Sequence, residues 1–472
     1  MIDKNYFFQK KEEQKTLLQE ACMHTIAHPH RLLKKLIDHA PKKAPIVDMS
    51  QVCSIILGGG QGTRLFPLTR RHCKPAILFG GRFRLVDVPL SNSLNSYINK
   101  NYIVTQFLSA SLHQHIFQTY RLDSFSSGFI ELLGAEQKHD TCSWYKGTAD
   151  AIRQNLEYLE ETPAEYFLIL SGDQLYHMNF QHMVQEAIQK DVDVLVATLA
   201  VSKKEAMRMG VMKVNEDVHI VDFYEKPKED AILERLKTAP ATLEKLGLAD
   251  DPEKHYLASM GIYLFKRSCL FEMLKGDLRE DFGKHLIPSK VQSGNIAAYV
   301  HSGYWEDIGT IESFYEANLA LTHAEPPFDL YDEAHPIITN RSFLPGARVS
   351  NTHVSNSIIC EGSIIEAAEV SNSILGQRSV VKRGTKIKDS YIMGNDFYTS
   401  PIQDTTKDPA ELVIEENCTI RRAIIDRNVH IGKGVQLVNK NNLSHYDGPS
   451  IYIRDGIIVV ARGATIPSGF VL

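Results

Sequence analysis

The chain has 472 residues, a formal net charge of −5, 43% hydrophobic and 23% charged residues. That is enough apolar material for a sizeable core in two or three domains, with no general pull toward nucleic acid or an anionic membrane. No apolar run approaches the ~18 residues needed to span a bilayer. The 7 cysteines are scattered with no Cys-x-x-Cys pair, which argues against zinc and for a reducing, cytoplasmic setting.

Residues 1–50 carry amphipathic pairs at Leu17-Leu18, Leu32-Leu33 and Leu36-Ile37, and then Pro41 and Pro45. One or two surface helices are expected there, in a packing role. The acids Glu12, Glu13, Glu20 and Asp38 speak against an organelle transit peptide.

From 51 to 322, apolar runs of strand length alternate with helical patterns. Val52–Leu57, Tyr102–Phe107, Phe167–Leu170 and Val194–Leu199 read as strands, and Ala149–Leu159 and Met183–Gln189 as amphipathic helices. Alternation of this kind predicts a Rossmann-like α/β domain with a mainly parallel sheet. Ligands of such sheets sit beyond the carboxyl ends of the strands. The first strand runs into Gly58-Gly59-Gly60-Gln61-Gly62-Thr63-Arg64-Leu65. Glycines let an anion approach backbone N–H groups, and a following arginine can reach phosphate oxygens. The Walker lysine is missing, and Leu65 stands where a dinucleotide loop needs glycine. Alone, the loop reads equally as a tight turn or as a phosphate cradle.

Other residues tip the balance. Lys74 follows ten positions after Arg64, and two such cations suit a polyphosphate. Asp173 sits directly after the strand Leu168-Ile169-Leu170, and Asp307 lies in Tyr304-Trp305-Glu306-Asp307-Ile308-Gly309-Thr310. Carboxylates at strand ends suit Mg2+, which takes a few carboxylates plus phosphate oxygens. Each aspartate alone reads as a turn or cap residue; together with the cradle and cations they point to metal-assisted phosphoryl or nucleotidyl transfer. Glu225-Lys226 follows the strand Ile220–Tyr224 and can grip a sugar hydroxyl and a phosphate, or form a surface ion pair. Ser259 opens another strand, and Gly147-Thr148 leads into a helix after Trp144 and Tyr145. Nothing suggests a Ser-His-Asp set or a nucleophilic cysteine.

Residues 323–346 read as an extended connector with Glu325-Pro326-Pro327 and His335-Pro336. From 347 to 472 the chain repeats itself. Ser355-Asn356-Ser357-Ile358-Ile359 returns sixteen residues later as Ser371-Asn372-Ser373-Ile374-Leu375, more loosely at Asp389–Met393, and again at Arg422–Ile425 after an insertion at 394–412. Short apolar steps between turns predict a parallel β-helix of three-sided coils, interrupted near 443–456.

Gly58–Leu65 with Lys74-Pro75-Ala76 resembles the signature of the sugar-phosphate nucleotidylyltransferases. Phe79–Asp87, Leu90-Ser91-Asn92, Trp144–Asp150, Phe223–Lys228, Ser259–Tyr263 and Tyr304–Thr310 resemble one branch, the glucose-1-phosphate adenylyltransferases, and nearer the plant and cyanobacterial kind. The likeness runs from about residue 51 to the closing Ile466-Pro467-Ser468-Gly469. It implies a left-handed β-helix and a homotetramer. It also implies a reaction in which ATP and α-D-glucose 1-phosphate give ADP-glucose and pyrophosphate with Mg2+, for glycogen or starch. By that likeness Gly58, Gly59, Gly60, Thr63, Arg64 and Lys74 hold ATP phosphates, Gln137 and Gly147 lie near adenine and ribose, and Asp173 and Asp307 hold the metal. Tyr145, Gly210, Glu225, Lys226 and Ser259 bind the glucose phosphate. Anionic metabolites regulate such enzymes between the two domains, at positions matching Arg84, Lys100, His115, Arg427 and Arg454, with Gln106 and Trp144 linking regulator to substrate. His72 stands where the family has arginine, Gln174 where it has histidine, and Arg427 and Arg454 where it has lysine. Rival expectations are a different nucleotide or sugar, a non-catalytic subunit, and an acyltransferase role for His353 or His430 in the β-helix.

Overall fold

Val52–Leu57 (β1) is buried almost end to end, which is why its sequence shows no polar alternation. It pairs in parallel with Lys100–Thr105 (β2), which pairs in parallel with Phe129–Gly134 (β3). On its other side lies Tyr166–Ser171 (β4), also parallel. These strands and their neighbours belong to a computed structural model that describes residues 47–123, 125, 127–136, 144–248, 251, 253–399 and 411–472. The helices expected before Pro45, and Gln137, lie outside the described residues.

Beyond β4 the sheet changes direction. Val194–Ser202 (β5), Gly210–Val214 (β6), Ile220–Glu225 (β7) and Lys254–Lys266 (β8) pair antiparallel, while Ile296–Val300 (β9) runs parallel to β5. The nine strands lie in the order β7-β6-β8-β4-β1-β2-β3, with β5 against β8 and β9 against β5. The centre of the sheet is therefore parallel, as the alternating pattern predicts, and the long β8 fuses an antiparallel flank to it. The helix Phe180–Lys190 covers the segment expected at Met183–Gln189, its first turn capped by the Asn179 side chain.

Two local expectations shift. The strand expected at Tyr102–Phe107 spans Lys100–Thr105 instead. Gln106 and Phe107 leave the ladder to wall a cavity, and Leu108 takes φ 44°. The continuous helix expected at Ala149–Leu159 is two short ones, Thr148–Arg153 and Leu156–Glu161. Asn155 breaks it: its side-chain amide donates to the Ala151 carbonyl at 2.8 Å and to the Tyr145 hydroxyl at 2.9 Å, competing with the helical ladder.

The repeats stack in the register in which they appear in the sequence. Ser357↔Ser373, Ser373↔Ser390 and Ser390↔Ala423 are successive rungs, as are Ile358↔Ile374↔Tyr391↔Ile424. The corner residues Asn356, Asn372, Asp389 and Arg422 all have φ between 42° and 49°. Asn and Asp tolerate that left-handed conformation best. Each corner divides one side of the coil from the next, so His353–Ser355 and Ser357–Ile359 face different ways. Short strands such as Ile364-Ile365 and Val380-Val381 make the third side. The apolar residues of all three sides close on one core, from Ile365 to Ile466. At 443–456 the coil opens into a hairpin: His445–Asp447 and Ile451–Arg454 pair antiparallel, and the latter pairs back onto Ile457–Val460.

The β-helix and the sheet domain share buried contacts. The turn at Gly80-Gly81 enters the side of the coil. A Cβ on Gly81 would lie 2.7 Å from the Cys360 sulfur, so the approach requires glycine. Tyr391 Oη accepts from the Gly81 N–H and donates to the Leu78 carbonyl, both at 3.2 Å. Asn318 accepts from the Gly80 N–H at 2.9 Å, and Tyr315 donates to the Asp389 carbonyl at 2.7 Å. The connector is pinned as well. Buried Asp87 accepts from Tyr120 and Thr339, each at 2.7 Å, and the Ile338 N–H donates to Ser91 at 2.8 Å.

Candidate active site

The carboxyl ends of β1, β2 and β4 open on a cavity of about 480 Å³. Gly59, Gly60 and Gln61 form one wall; Asp173 and Ser171, at the end of β4, form the floor; Tyr145, Gly147 and Thr148 face them. The glycine loop is held down by the Gly58 N–H, which donates to the Val104 carbonyl at 2.8 Å. Gly62, at φ 62°, turns the chain into a single 3₁₀ turn, Thr63–Leu65, rather than into a helix.

Lys74 is fixed from behind. The ring of Pro75 packs against the positions that a Cβ on Gly58 or on Gly172 would take, at 3.6 and 3.2 Å. The lysine ammonium lies 2.5 Å from the Asp173 carboxylate and 3.6 Å from that of Asp307. Asp307 reaches this point because its short strand Trp305–Asp307 pairs with Gln174–Tyr176, opposing Asp307 to Gln174. Ser171 donates its hydroxyl to the other Asp173 oxygen. Burial disfavours both charged forms. For Lys74 the Asp173 and Asp307 charges outweigh it and raise its pKa; for Asp173 the lysine outweighs it and lowers the pKa. Asp307, exposed on one side, is raised by burial and by the Asp173 charge. Next to it, Glu306 is pushed up to about 7 by burial and then by Asp307.

Arg64 stands on the Asp307 side of this cluster, and its charge acts on Lys74, Asp173 and Asp307. Its guanidinium sits 3.4 Å from where a Cβ on Gly309 would be. With Thr63 it lines a second, larger cavity of about 700 Å³, which it shares with Arg454 of the β-helix hairpin. Gln61 and Phe107 line both cavities.

On the far side of the first cavity, Glu225 projects between two glycines. A Cβ on Gly210 or Gly283 would fall 2.7 or 2.9 Å from its carboxylate oxygen. Lys226 has φ 53° and sits 3.1 Å from Glu225, its side chain half exposed. Tyr145 is clamped by Gln106, which accepts from the Tyr145 N–H at 2.5 Å. The indole of Trp144 stacks on Phe107 at 5.6 Å.

The expected residues thus fall into groups. Gly59, Gly60, Gln106, Tyr145, Gly147, Asp173 and Glu225 share the cavity, with Lys74 and Asp307 at its edge. Ser259 does not reach it. Its hydroxyl is turned onto Tyr263 and the Gly261 N–H, where β8 loses register. Arg84 and Arg427 line a third cavity, of about 390 Å³, between the sheet domain and the β-helix, with His72, Asp396, Asp426 and Arg462. Arg427 and Arg462 both pair with Asp396. His115 is buried against Asp87 at 2.6 Å. Lys100 lies at the amino end of β2, donating to the Ser50 and Pro163 carbonyls. It therefore does not join the Arg84–Arg427 cluster. Neither does Arg454, which is tied to Asp447 at 2.6 Å within its own hairpin.

Sequence reasoning missed Asp281 and Gly283, which line the first cavity. Asp281 caps the following turn through the Lys284 N–H and accepts from the Thr148 hydroxyl. Its signal, an acid two residues before glycine, is that of any turn. Arg462 and Asp396 were missed for a similar reason, since each lies in a β-helix loop without a motif.

Two carboxylates without nitrogen or sulfur donors suit a hard divalent cation that completes its shell with phosphate oxygens. Among the described residues no group of three or more His, Cys, Asp or Glu side chains gathers that could hold a metal ion by itself, and no helix is long and apolar enough to cross a membrane.

Residues 53–324 match the family model described as nucleotidyl transferase. Residues 342–471 match that of the GLGC left-handed parallel β-helix domain. The two domains in this order make the architecture of glucose-1-phosphate adenylyltransferases, and the chain belongs to the nucleotidyl transferase family.

Proposed function

We propose that the protein transfers AMP from ATP to α-D-glucose 1-phosphate, releasing pyrophosphate and making ADP-glucose for α-1,4-glucan synthesis. The observation that carries the chemistry is the Asp173–Lys74–Asp307 cluster at the mouth of a glycine-walled cavity. The choice of glucose and adenine is supported by the match of residues 342–471 to a β-helix of the GLGC type. A phosphate oxygen of the sugar phosphate forms a bond to the α-phosphorus of ATP, and the bond from that phosphorus to the β-phosphate oxygen breaks. The attacking oxygen is already anionic at neutral pH, so no general base is required. This agrees with the absence of histidine among the described residues that line the cavity.

The residues then have separate tasks. The glycine loop lets the triphosphate lie against its backbone, and Arg64 faces the departing pyrophosphate. Asp173 and Asp307 would hold Mg2+, which supplies charge neutralisation on the phosphates. Tyr145 and Glu225, across the cavity, fit the glucose hydroxyls, and Lys226 swings from Glu225 to the sugar's phosphate. The Arg84–Arg427–Arg462 cavity takes an anionic metabolite as effector. Supporting that, Arg427 Nε and His72 Nε2 are buried there with no partner among the described residues. Assembly as a homotetramer in the cytoplasm completes the reading.

Pyrophosphate release by the pure protein should be fastest with ATP and glucose 1-phosphate when each nucleoside triphosphate is paired with each sugar 1-phosphate. A faster rate with UTP or dTTP, or with another sugar, would overturn the assignment.

A further inference from the structure

The lysine between the two aspartates lies where a divalent cation would lie. The Lys74 ammonium touches Asp173 at 2.5 Å and reaches Asp307 at 3.6 Å, so one monovalent charge bridges the carboxylates from which a metal site would be built. Neither carboxylate depends on the lysine for its place. Asp173 ends β4, inside the central sheet, and its second oxygen is held by the Ser171 hydroxyl. Asp307 is set by strand pairing with Gln174–Tyr176 and by the Gly309 N–H, which closes a turn onto its carbonyl at 2.8 Å. The backbone of Lys74 is equally fixed, wedged through Pro75 against the glycine loop and the Gly172 turn. Only its flexible side chain is free to move, and at 10% exposure it has little company but the two acids and Arg64.

We infer that Lys74 occupies the cation position in the free enzyme and keeps divalent metal out until a triphosphate draws its ammonium away. Two carboxylates and one ammonium carry a net charge of −1, and the Arg64 charge lowers the attraction further. A dication entering this cluster meets two like charges at short range in a partly dry site, where repulsion is weakly screened. The triphosphate changes the balance, since its oxygens give the ammonium a new anionic partner at the glycine loop. The carboxylates are then released to the metal. No charge is left unpaired during the exchange, which costs far less than baring either acid. The site therefore assembles in a fixed order: nucleotide first, or nucleotide with its own metal, and never metal alone. This inference rests on the reading of Asp173 and Asp307 as metal ligands.

Mn2+ binding to the full chain, followed by electron paramagnetic resonance of the free ion, separates the two ideas. Wild type, Lys74→Met, Lys74→Gln, Lys74→Arg and Asp173→Asn are each titrated alone, then with α,β-methylene ATP. Wild type and Lys74→Arg should bind Mn2+ weakly until the analogue is added. Lys74→Met and Lys74→Gln should bind it alone at least tenfold more tightly than wild type. Equal affinity of these two variants and wild type without nucleotide would overturn the inference, even if the analogue creates a site that Asp173→Asn abolishes, in which case the metal reading stands. If no protein binds Mn2+ beyond what the analogue binds in solution, the metal reading falls as well. Circular dichroism of the two neutral variants guards against unfolding, and tight nucleotide-free binding by wild type itself would overturn the inference without any variant.

Discussion

At Gly62 the backbone sits at φ 62°, and an added Cβ would lie 2.9 Å from the Thr69 methyl. Thr69 meanwhile donates its hydroxyl to the Gly62 carbonyl at 2.9 Å. Gly62→Ala therefore meets both a disfavoured conformation and a clash, a cost of ~1–3 kcal/mol; it should lower the unfolding temperature and the turnover together. Arg64→Ala acts differently because the side chain faces the Gly309 side of the loop, away from Glu225. Turnover should fall ~10²–10³-fold with little change in the Michaelis constant for glucose 1-phosphate; a rise in that constant with turnover preserved would place Arg64 on the sugar. His72 supplies a pH test. Burial, then the charges of Arg462 and Arg84, pull it from 6.5 down to about 4. Below pH 6.5 the unfolded chain takes up a proton that the folded chain refuses, so this residue makes stability fall as pH drops from 6.5 toward 4. Asp426 in the same cavity is raised from 3.8 to about 6 by burial and contributes the opposite slope. The comparison to make is thus wild type against His72→Gln. Melting curves across the window should show the wild type losing more stability on acidification than the variant, and parallel curves would show that His72 titrates normally.

Among the elements, the helix Ile311–Ala320 begins four residues after Asp307, carries Tyr315 to the Asp389 carbonyl of the β-helix and holds the Gly80 turn through Asn318. Its first turn is closed by Thr310, whose hydroxyl accepts from the Ser313 N–H at 3.1 Å while Ser313 reciprocates. Thr310→Ala should cost ~1 kcal/mol, read as a lowered unfolding midpoint, with turnover reduced less than by Arg64→Ala. Elements of this sort were legible to different degrees. The β1 strand was legible because a short unbroken apolar run that ends in glycines suits a buried parallel strand, whereas its glycine loop reads as a phosphate cradle only beside Lys74, Asp173 and Asp307. The coil repeats were visible down to their register because each corner needs a residue that accepts positive φ. Asp281 was not visible, since a capping acid in a turn has the same sequence whether or not a cavity lies beside it. Ser259 was expected in the cavity and is not there. Its strand gains two residues over its partner between Ser259 and Tyr263, and this bulge leaves the Ser259 hydroxyl engaged by the Tyr263 hydroxyl and the Gly261 N–H. Lys100 stands apart from the Arg84–Arg427 cavity because it opens its strand, where its ammonium donates to the Ser50 and Pro163 carbonyls; a matching position says where a residue stands in the chain, not which end of the strand it serves.

On the scale of the whole molecule, the sheet domain and the β-helix are held together by a few buried polar contacts around a glycine turn. Tyr391→Phe keeps the ring, which packs on Phe314 at 5.9 Å, and removes only the hydroxyl. The Gly81 N–H and the Leu78 carbonyl would then be buried without that partner, at a cost of ~1–3 kcal/mol. A lower melting temperature and faster proteolysis within 78–84 are expected, and an unchanged melting temperature would show that water replaces the hydroxyl. The same contact bears on how the chain is made. Gly81 donates to a tyrosine that the ribosome adds 310 positions later. At ~5–20 residues per second, the nascent turn beside Lys74 waits on the order of tens of seconds for the groove that receives it. The first domain is thus born unfinished, with an apolar hairpin open to chaperones or to a neighbouring chain, and it matures only when the last third of the message has been read.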